Sequence, residues 1–211
     1  MIRTLRLTAL LTLLPAALAA QQSSFAVVRG HDTVASETFT LDSAGMTGTL
    51  TRGLATARER IKYQVTEVDG KIPMLELAAW RGDDPDGVKA RQNVRVIFKD
   101  DSVAVDEAND KNGVSTRLFE TRKDAVPYLN LSTAFLELAT KRAAKQDSAA
   151  VAFFNLNGGQ TLTGTIKRLA PDSMSLSLGS IQFRFKVDRT GAILGGAVPA
   201  QGLTIVRGGA S

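Results

Sequence analysis

The sequence predicts a mainly β protein: a single highly curved antiparallel meander sheet, a half-barrel or β-clam, with one inserted helix. Three observations carry this expectation. Apolar and polar residues alternate with period two over most of the chain, most strictly in Ile181-Gln182-Phe183-Arg184-Phe185-Lys186-Val187. Turn signals such as Asp69-Gly70, Asn112-Gly113, Gly158-Gly159 and Pro171-Asp172 separate these runs. Only residues 131–145 carry apolar residues at three- and four-residue spacing. Period-two strands make a sheet wet on one face and buried on the other. A wide sheet of this kind is expected to curl rather than leave flat edges exposed. A closed barrel and a two-sheet sandwich are the alternatives.

The chain opens with Arg3 and Arg6, an apolar run from Leu7 to Leu14, Pro15, and then Ala17-Leu18-Ala19. This pattern is expected of a secretory signal peptide over residues 1–19, cleaved after Ala19. The run is shorter than the roughly 20 residues that span a bilayer, so the expected product does not span the membrane. No cysteine follows to carry a lipid anchor. Residues 20–211 are expected to form one β-rich domain in the periplasm or outside the cell.

The strands follow in order. Phe25 to Arg29 leads through Gly30-His31-Asp32 into Val34 to Leu41. Met46, Gly48 and Leu50 share one face of the next strand, with Thr47, Thr49 and Thr51 on the other. In Arg58 to Glu67, Ile61, Tyr63 and Val65 point inward against Lys62, Gln64 and Thr66. Ile72 to Trp80 follows the Asp69-Gly70 turn, then strands carrying Val94, Val96 and Phe98, and Val103 and Val105. The polar stretch Glu107 to Gly113 separates these from Val114 to Thr121. In the helix, Leu131, Ala134, Phe135, Leu138 and Ala139 form the apolar stripe, and Thr133, Glu137, Thr140 and Ala144 the opposite side. Asn130, Ser132 or Thr133 suits its start, and Lys141, Arg142 and Lys145 its negative end. Strands resume at Val151–Asn155, Thr161–Leu169, Met174–Leu178 and Ile181–Val187, and close at Ile193 and Leu203–Val206. Gly158-Gly159 and Gly195-Gly196 are both expected in turns, since neither joins a strand to a helix as a phosphate loop requires.

Composition narrows the chemistry. Without the signal, 24 basic residues face 21 acidic ones, interleaved as in Arg58-Glu59-Arg60. Mixed signs describe a solvated surface, and no nucleic-acid partner is expected. The chain has no cysteine and one histidine, His31. Disulfides, thiolate catalysis and multi-histidine metal sites are therefore closed to it. One Trp and two Tyr are too few for the aromatic girdles of an outer-membrane barrel.

The opening Phe25-Ala26-Val27-Val28-Arg29-Gly30 is followed by Asp32-Thr33-Val34-Ala35-Ser36-Glu37-Thr38-Phe39-Thr40, and a second marked stretch closes the chain. There Val187-Asp188-Arg189-Thr190-Gly191-Ala192-Ile193 precedes Gly202-Leu203-Thr204-Ile205-Val206-Arg207. These segments resemble uncharacterised exported bacterial β-rich proteins whose curled antiparallel sheets are similar to the periplasmic lipoprotein carriers and lipoprotein receptors. The resemblance implies a concave apolar face, lidded by helix, able to hold acyl chains. It implies no catalytic residue.

Candidate sites are few. Asp110, Asn112 and Gly113, and Asp84, Asp86 and Gly87, have part of the spacing of a calcium loop, but oxygen ligands are missing at its first and twelfth positions. No metal and no cofactor is expected. Glu37, Glu59, Glu67 and Glu76 lie on strands and are expected to face solvent, leaving a glycan- or ester-acting hydrolase as a distant alternative. His31 beside Asp32 is expected to be a surface residue. Asn130-Leu131-Ser132 matches the glycosylation pattern, which matters only on a eukaryotic secretory route. Tyr63, Trp80, Tyr128 and Phe135 could line a pocket between helix and sheet, or simply fill the core there. The expected function is the binding or chaperoning of a lipid or other apolar molecule. The alternative is an envelope structural or protein-interaction module with a solid interior.

Overall fold

The computed structural model describes residues 22–54, 57–109 and 113–208. The expected signal peptide, residues 1–19, and the expected mature start at Ala20 lie outside the described residues. The first half of the chain forms β1 (Gln22–Arg29), β2 (Asp32–Asp42), β3 (Gly45–Arg52), β4 (Glu59–Val68) and β5 (Lys71–Arg81). It continues with β6 (Gln92–Phe98), β7 (Ser102–Asn109) and β8 (Gly113–Glu120). A three-residue strand, β9 (Val126–Tyr128), precedes the helix α1 (Thr133–Arg142). The second half adds β10 (Ser148–Asn155), β11 (Thr161–Ala170), β12 (Ser173–Leu178) and β13 (Ile181–Val187). It ends with β14 (Ile193–Val198), a 3-10 turn at Pro199–Gln201, and β15 (Leu203–Gly208).

The fifteen strands of the described residues all belong to one sheet. From β1 at its centre the strands step outward in order to β8 at one edge. They begin again with β9 at the other edge and step back to β15, which pairs antiparallel with β1 from Ser24↔Gly208 to Arg29↔Leu203. Every ladder is antiparallel except one. β9 runs parallel to β10, Phe153 lying opposite Val126 and Asn155 opposite Tyr128. Parallel neighbours need a crossover, and α1 supplies it.

This corrects the expected fold class. A half-barrel or β-clam built as one highly curved meander is not what forms. The fold is a large mixed sheet with one helix; its end strands β8 and β9 share no ladder, so the sheet is not closed. Period-two alternation identifies strands but carries no information on which strands are neighbours. The helix is also shorter than expected, ten residues rather than the span 131–145. Leu131, with φ +68°, lies outside the right-handed helical region and ends the helix on that side.

The period-two pattern puts the core where expected. Phe25, Phe39, Leu50, Ile61, Val65, Leu75, Val96 and Val103 come from the first half, Phe153, Ile166, Leu176 and Phe185 from the second, all buried. Gly195 and Gly196, expected in a turn, lie within β14. A Cβ on Gly196 would sit 2.5 Å from the Arg184 carbonyl oxygen, so glycine is there for close strand approach and not for a turn.

Candidate functional site

The most heavily built polar site surrounds the start of α1. Glu37, on β2, is only 3% exposed. Its Oε1 accepts hydrogen bonds from the Tyr63 hydroxyl at 2.9 Å and the Ser132 hydroxyl at 2.6 Å. Its Oε2 accepts from the backbone N–H groups of Thr133 at 2.8 Å and Ala134 at 2.9 Å. Those N–H groups have no partner within the helix, so Glu37 caps α1 from another element of the sheet. Ser132 adds the local cap, its Oγ accepting from Phe135 N–H. Gly48, opposite Tyr63 on β3, leaves room for the phenol; a Cβ there would lie 2.3 Å from Tyr63 Oη. Burial raises the Glu37 carboxyl above its ordinary value, and the bonds from Ser132, Ala134, Tyr63 and Thr133 hold that rise in check. Burial, followed by the Glu37 charge and hydrogen bond, pushes the Tyr63 phenol well above its own. Both carboxylate oxygens are occupied, which suits a structural cap.

One turn further on, a second buried acid joins α1 to the seam of the sheet. Glu137 Oε2 accepts from Ile193 N–H at 2.9 Å and from Arg207 Nη1 at 2.7 Å. Lys141 Nζ stands 3.5 Å from the other oxygen. Arg207 also donates to Ser23 Oγ at 2.6 Å and lies over the Phe25 ring, 5.0 Å from its centroid. The side of α1 expected to be polar and opposite the core is itself buried, with Thr133, Glu137 and Thr140 all at 2% exposure or less.

Three of the four aromatic residues singled out from the sequence meet around α1. Tyr63 and Phe135 lie ring to ring at 5.0 Å, and Tyr128 meets Phe153 edge-on at 6.3 Å. Phe135 is fully buried. Trp80 is not with them. It pairs with Arg60, which alternates with the inward Ile61, and so lies on the opposite face of the sheet. Its indole N–H donates to the Val88 carbonyl at 2.8 Å, with Arg60 and Lys62 over the ring.

Between α1 and the sheet, a cavity of about 30 Å³ remains, lined by Val27, Tyr128, Leu136, Phe183 and Ile205 among others. The larger hollow, about 570 Å³, is an open groove on the outer face from β3 to β8, floored by Lys62, Gln64, Glu76, Arg95 and Asp106 and bordered by Val114. Arg95 and Asp106 pair there at 3.3 Å. Of the strand acids, Glu37 is buried as the cap rather than solvent-facing, and Glu59 pairs with Arg52 at 2.9 Å. His31 and Asp32 are exposed. The first acidic loop, over 110–112, lies outside the described residues. In the second, Asp84 accepts from Arg81 N–H at 2.9 Å and Asp86 pairs with Arg60 at 3.3 Å.

Sequence reasoning missed Glu37 and Glu137 as organising residues. The available signal was weak: Glu37 replaces the apolar residue expected on the inward face between Ala35 and Phe39.

Fold and site together define a mainly β protein with one α-helix among the described residues, and the buried acids Glu37 and Glu137 serve that helix. The chain is similar in structure to a DUF1089 family protein from Pseudomonas aeruginosa, with TM-score 0.54 and 10% identity over 81% of this chain and 91% of that one. It is also similar to a β-barrel-like protein of the domain of unknown function DUF1849 from Brucella abortus, with TM-score 0.51 and 11% identity over 91% and 95% of the two chains. No family profile and no curated protein matches the chain. The expected likeness to lipoprotein carriers is corrected by these neighbours. The residues that suggested it are hairpin signals that any antiparallel sheet supplies. Among the described residues no helix is long and apolar enough to cross a membrane.

Proposed function

We propose that this chain is an exported interaction module that works through its surface, and not a carrier holding an apolar ligand inside. The observation behind this is the interior itself. A pocket for a drug-sized ligand occupies about 300–1,000 Å³, and the space beside α1 is about 30 Å³. Tyr63, Tyr128 and Phe135 use their rings on one another and on Phe153, and the Tyr63 hydroxyl is committed to Glu37. Export is supported by the basic start, the apolar run and Ala17-Leu18-Ala19.

Two measurements test the proposal. Native mass spectrometry of the purified protein is expected to show the bare chain, and anilinonaphthalene sulfonate is expected to give no saturable fluorescence gain. A stoichiometric co-purifying lipid would overturn the solid-interior reading. N-terminal sequencing of exported material is expected to start at Ala20; Met1 retained in the periplasmic fraction would overturn the export reading.

A further inference from the structure

We propose that β8 is the docking edge for a second copy of this chain, the two β8 strands pairing antiparallel about a two-fold axis through Thr116. This rests on the interaction-module reading and names its partner.

The two edges of the sheet are treated differently. β9 is three residues long, carries Pro127 and is buried throughout. Such an edge is blunted against further pairing. β8 is eight residues long, holds no proline, and is exposed from Gly113 to Leu118. Val114 is 79% exposed and Leu118 76%, the two most exposed large apolar side chains among the described residues. An open strand of this length with apolar side chains is a template for another strand.

The ladder to β7 determines which β8 backbone groups are free. Thr121 N–H bonds the Asp101 carbonyl, and the register continues through Phe119 opposite Val103 and Arg117 opposite Val105. Hydrogen-bonded pairs alternate along an antiparallel ladder. The odd-numbered β8 residues therefore bond β7, while Val114, Thr116 and Leu118 turn their N–H and C=O groups to the open side. The Glu120 carbonyl follows the same phase: it points away from β7 and accepts from the Thr161 hydroxyl.

A two-fold axis through Thr116 satisfies this phase. Val114 then lies opposite the partner's Leu118, Thr116 opposite itself, and Leu118 opposite the partner's Val114, all hydrogen-bonded pairs. The exposed apolar side chains cover one another on the outer face, flanking the opposed threonines, whose hydroxyls each donate to Asp106 of their own chain at 2.8 Å. On the other face Arg117 lies opposite the partner's Ser115, so no like charges stand directly opposite, and each Arg117 is paired with Glu107 of its own chain at 3.0 Å. The interface is isologous and closes at two copies, leaving β9 as the blunted end of each.

The chain has no cysteine, so introduced ones report geometry directly. Opposed residues in a hydrogen-bonded pair stand about 5.5 Å apart at Cα, within disulfide reach. Light scattering is expected to give twice the chain mass at tens of micromolar. On mild oxidation Thr116→Cys is expected to link two chains, Val114→Cys alone to link few, and the Val114→Cys, Leu118→Cys double variant to link efficiently. Thr116→Lys, placing like charges across the axis, is expected to give a monomer with an unchanged circular dichroism spectrum. A wild-type monomer, or equal linking by the two single cysteine variants, would overturn the proposal. A monomer free of lipid removes the second copy and leaves the interaction reading standing; a monomer with stoichiometric lipid removes both.

Discussion

Glu37 is a buried acid whose charge the fold tolerates by saturating it with four donors. Its folded-state value lies above its ordinary 4.5, so protonation favours the native state. A group of this kind stabilises the fold fully below its unfolded value and loses that contribution as pH rises through the folded one. Glu37→Gln keeps an acceptor for Thr133 and Ala134 and offers an amide to the Tyr63 and Ser132 hydroxyls, which can accept. Denaturant titrations from about pH 4 to about pH 7 are expected to show E37Q gaining stability relative to wild type as pH rises. A relative loss with rising pH would mean that the charged cap is favoured. Glu37→Ala removes every acceptor at once and is expected to cost roughly 3 kcal/mol or more, since each stranded buried donor costs about 1–3 kcal/mol.

Helix α1 has ten residues, below the about 12–15 at which isolated helices become marginal in water, so its stability comes from what surrounds it. Phe135 is its central anchor, fully buried against Tyr63. Phe135→Ala is expected to cost roughly 3–5 kcal/mol in equilibrium unfolding. A cost under about 1 kcal/mol would show that the ring is not packed there. At the level of side-chain chemistry, Arg207 links α1 to β14, β15 and β1 through Glu137, the Ile193 carbonyl and Ser23. A lysine cannot reproduce that fork or its stacking on Phe25. Arg207→Lys is therefore expected to lose about 1–2 kcal/mol, read as a lower denaturation midpoint with an unchanged slope.

Over the whole molecule, the first and last described strands meet in the middle of the sheet. β1 and β15 pair over residues almost the full chain apart, from Ser24↔Gly208 to Arg29↔Leu203. Contacts of such sequence separation form late and slowly, and refolding is expected on the millisecond-to-second scale or slower. Truncation before Leu203 removes β15 together with the Arg207 tie to α1, and leaves β1 and β14 as raw edges. The truncated chain is expected to lose cooperative thermal unfolding and its near-ultraviolet dichroism. A sharp transition in that variant would show that the two halves are independent units.

Strand identity was legible in the sequence because alternation is a local property: Ile61, Tyr63 and Val65, or Phe183, Phe185 and Val187, show their buried face without reference to any other segment. The helix was legible for the same reason, through the spacing of Ala134, Phe135 and Leu138. Its polar side was misjudged, because Glu137 is accommodated in the interior by Arg207 and the Ile193 N–H, residues 70 and 56 positions away. The cap from Glu37 lies 95 to 97 positions from the groups it accepts from at the start of the helix. Strand order was equally hidden. Period two says which face a residue takes, while the parallel β9–β10 pair and the β1–β15 seam depend on where the crossover and the first and last described strands come to lie. The sequence by itself determined that this protein is mainly β, with a helix within residues 131–145 and no thiol chemistry. Only the tertiary structure decided which strands are neighbours, that the buried acids serve the helix, and that Trp80 stands apart from the other aromatics, because each depends on contacts between residues distant in the chain.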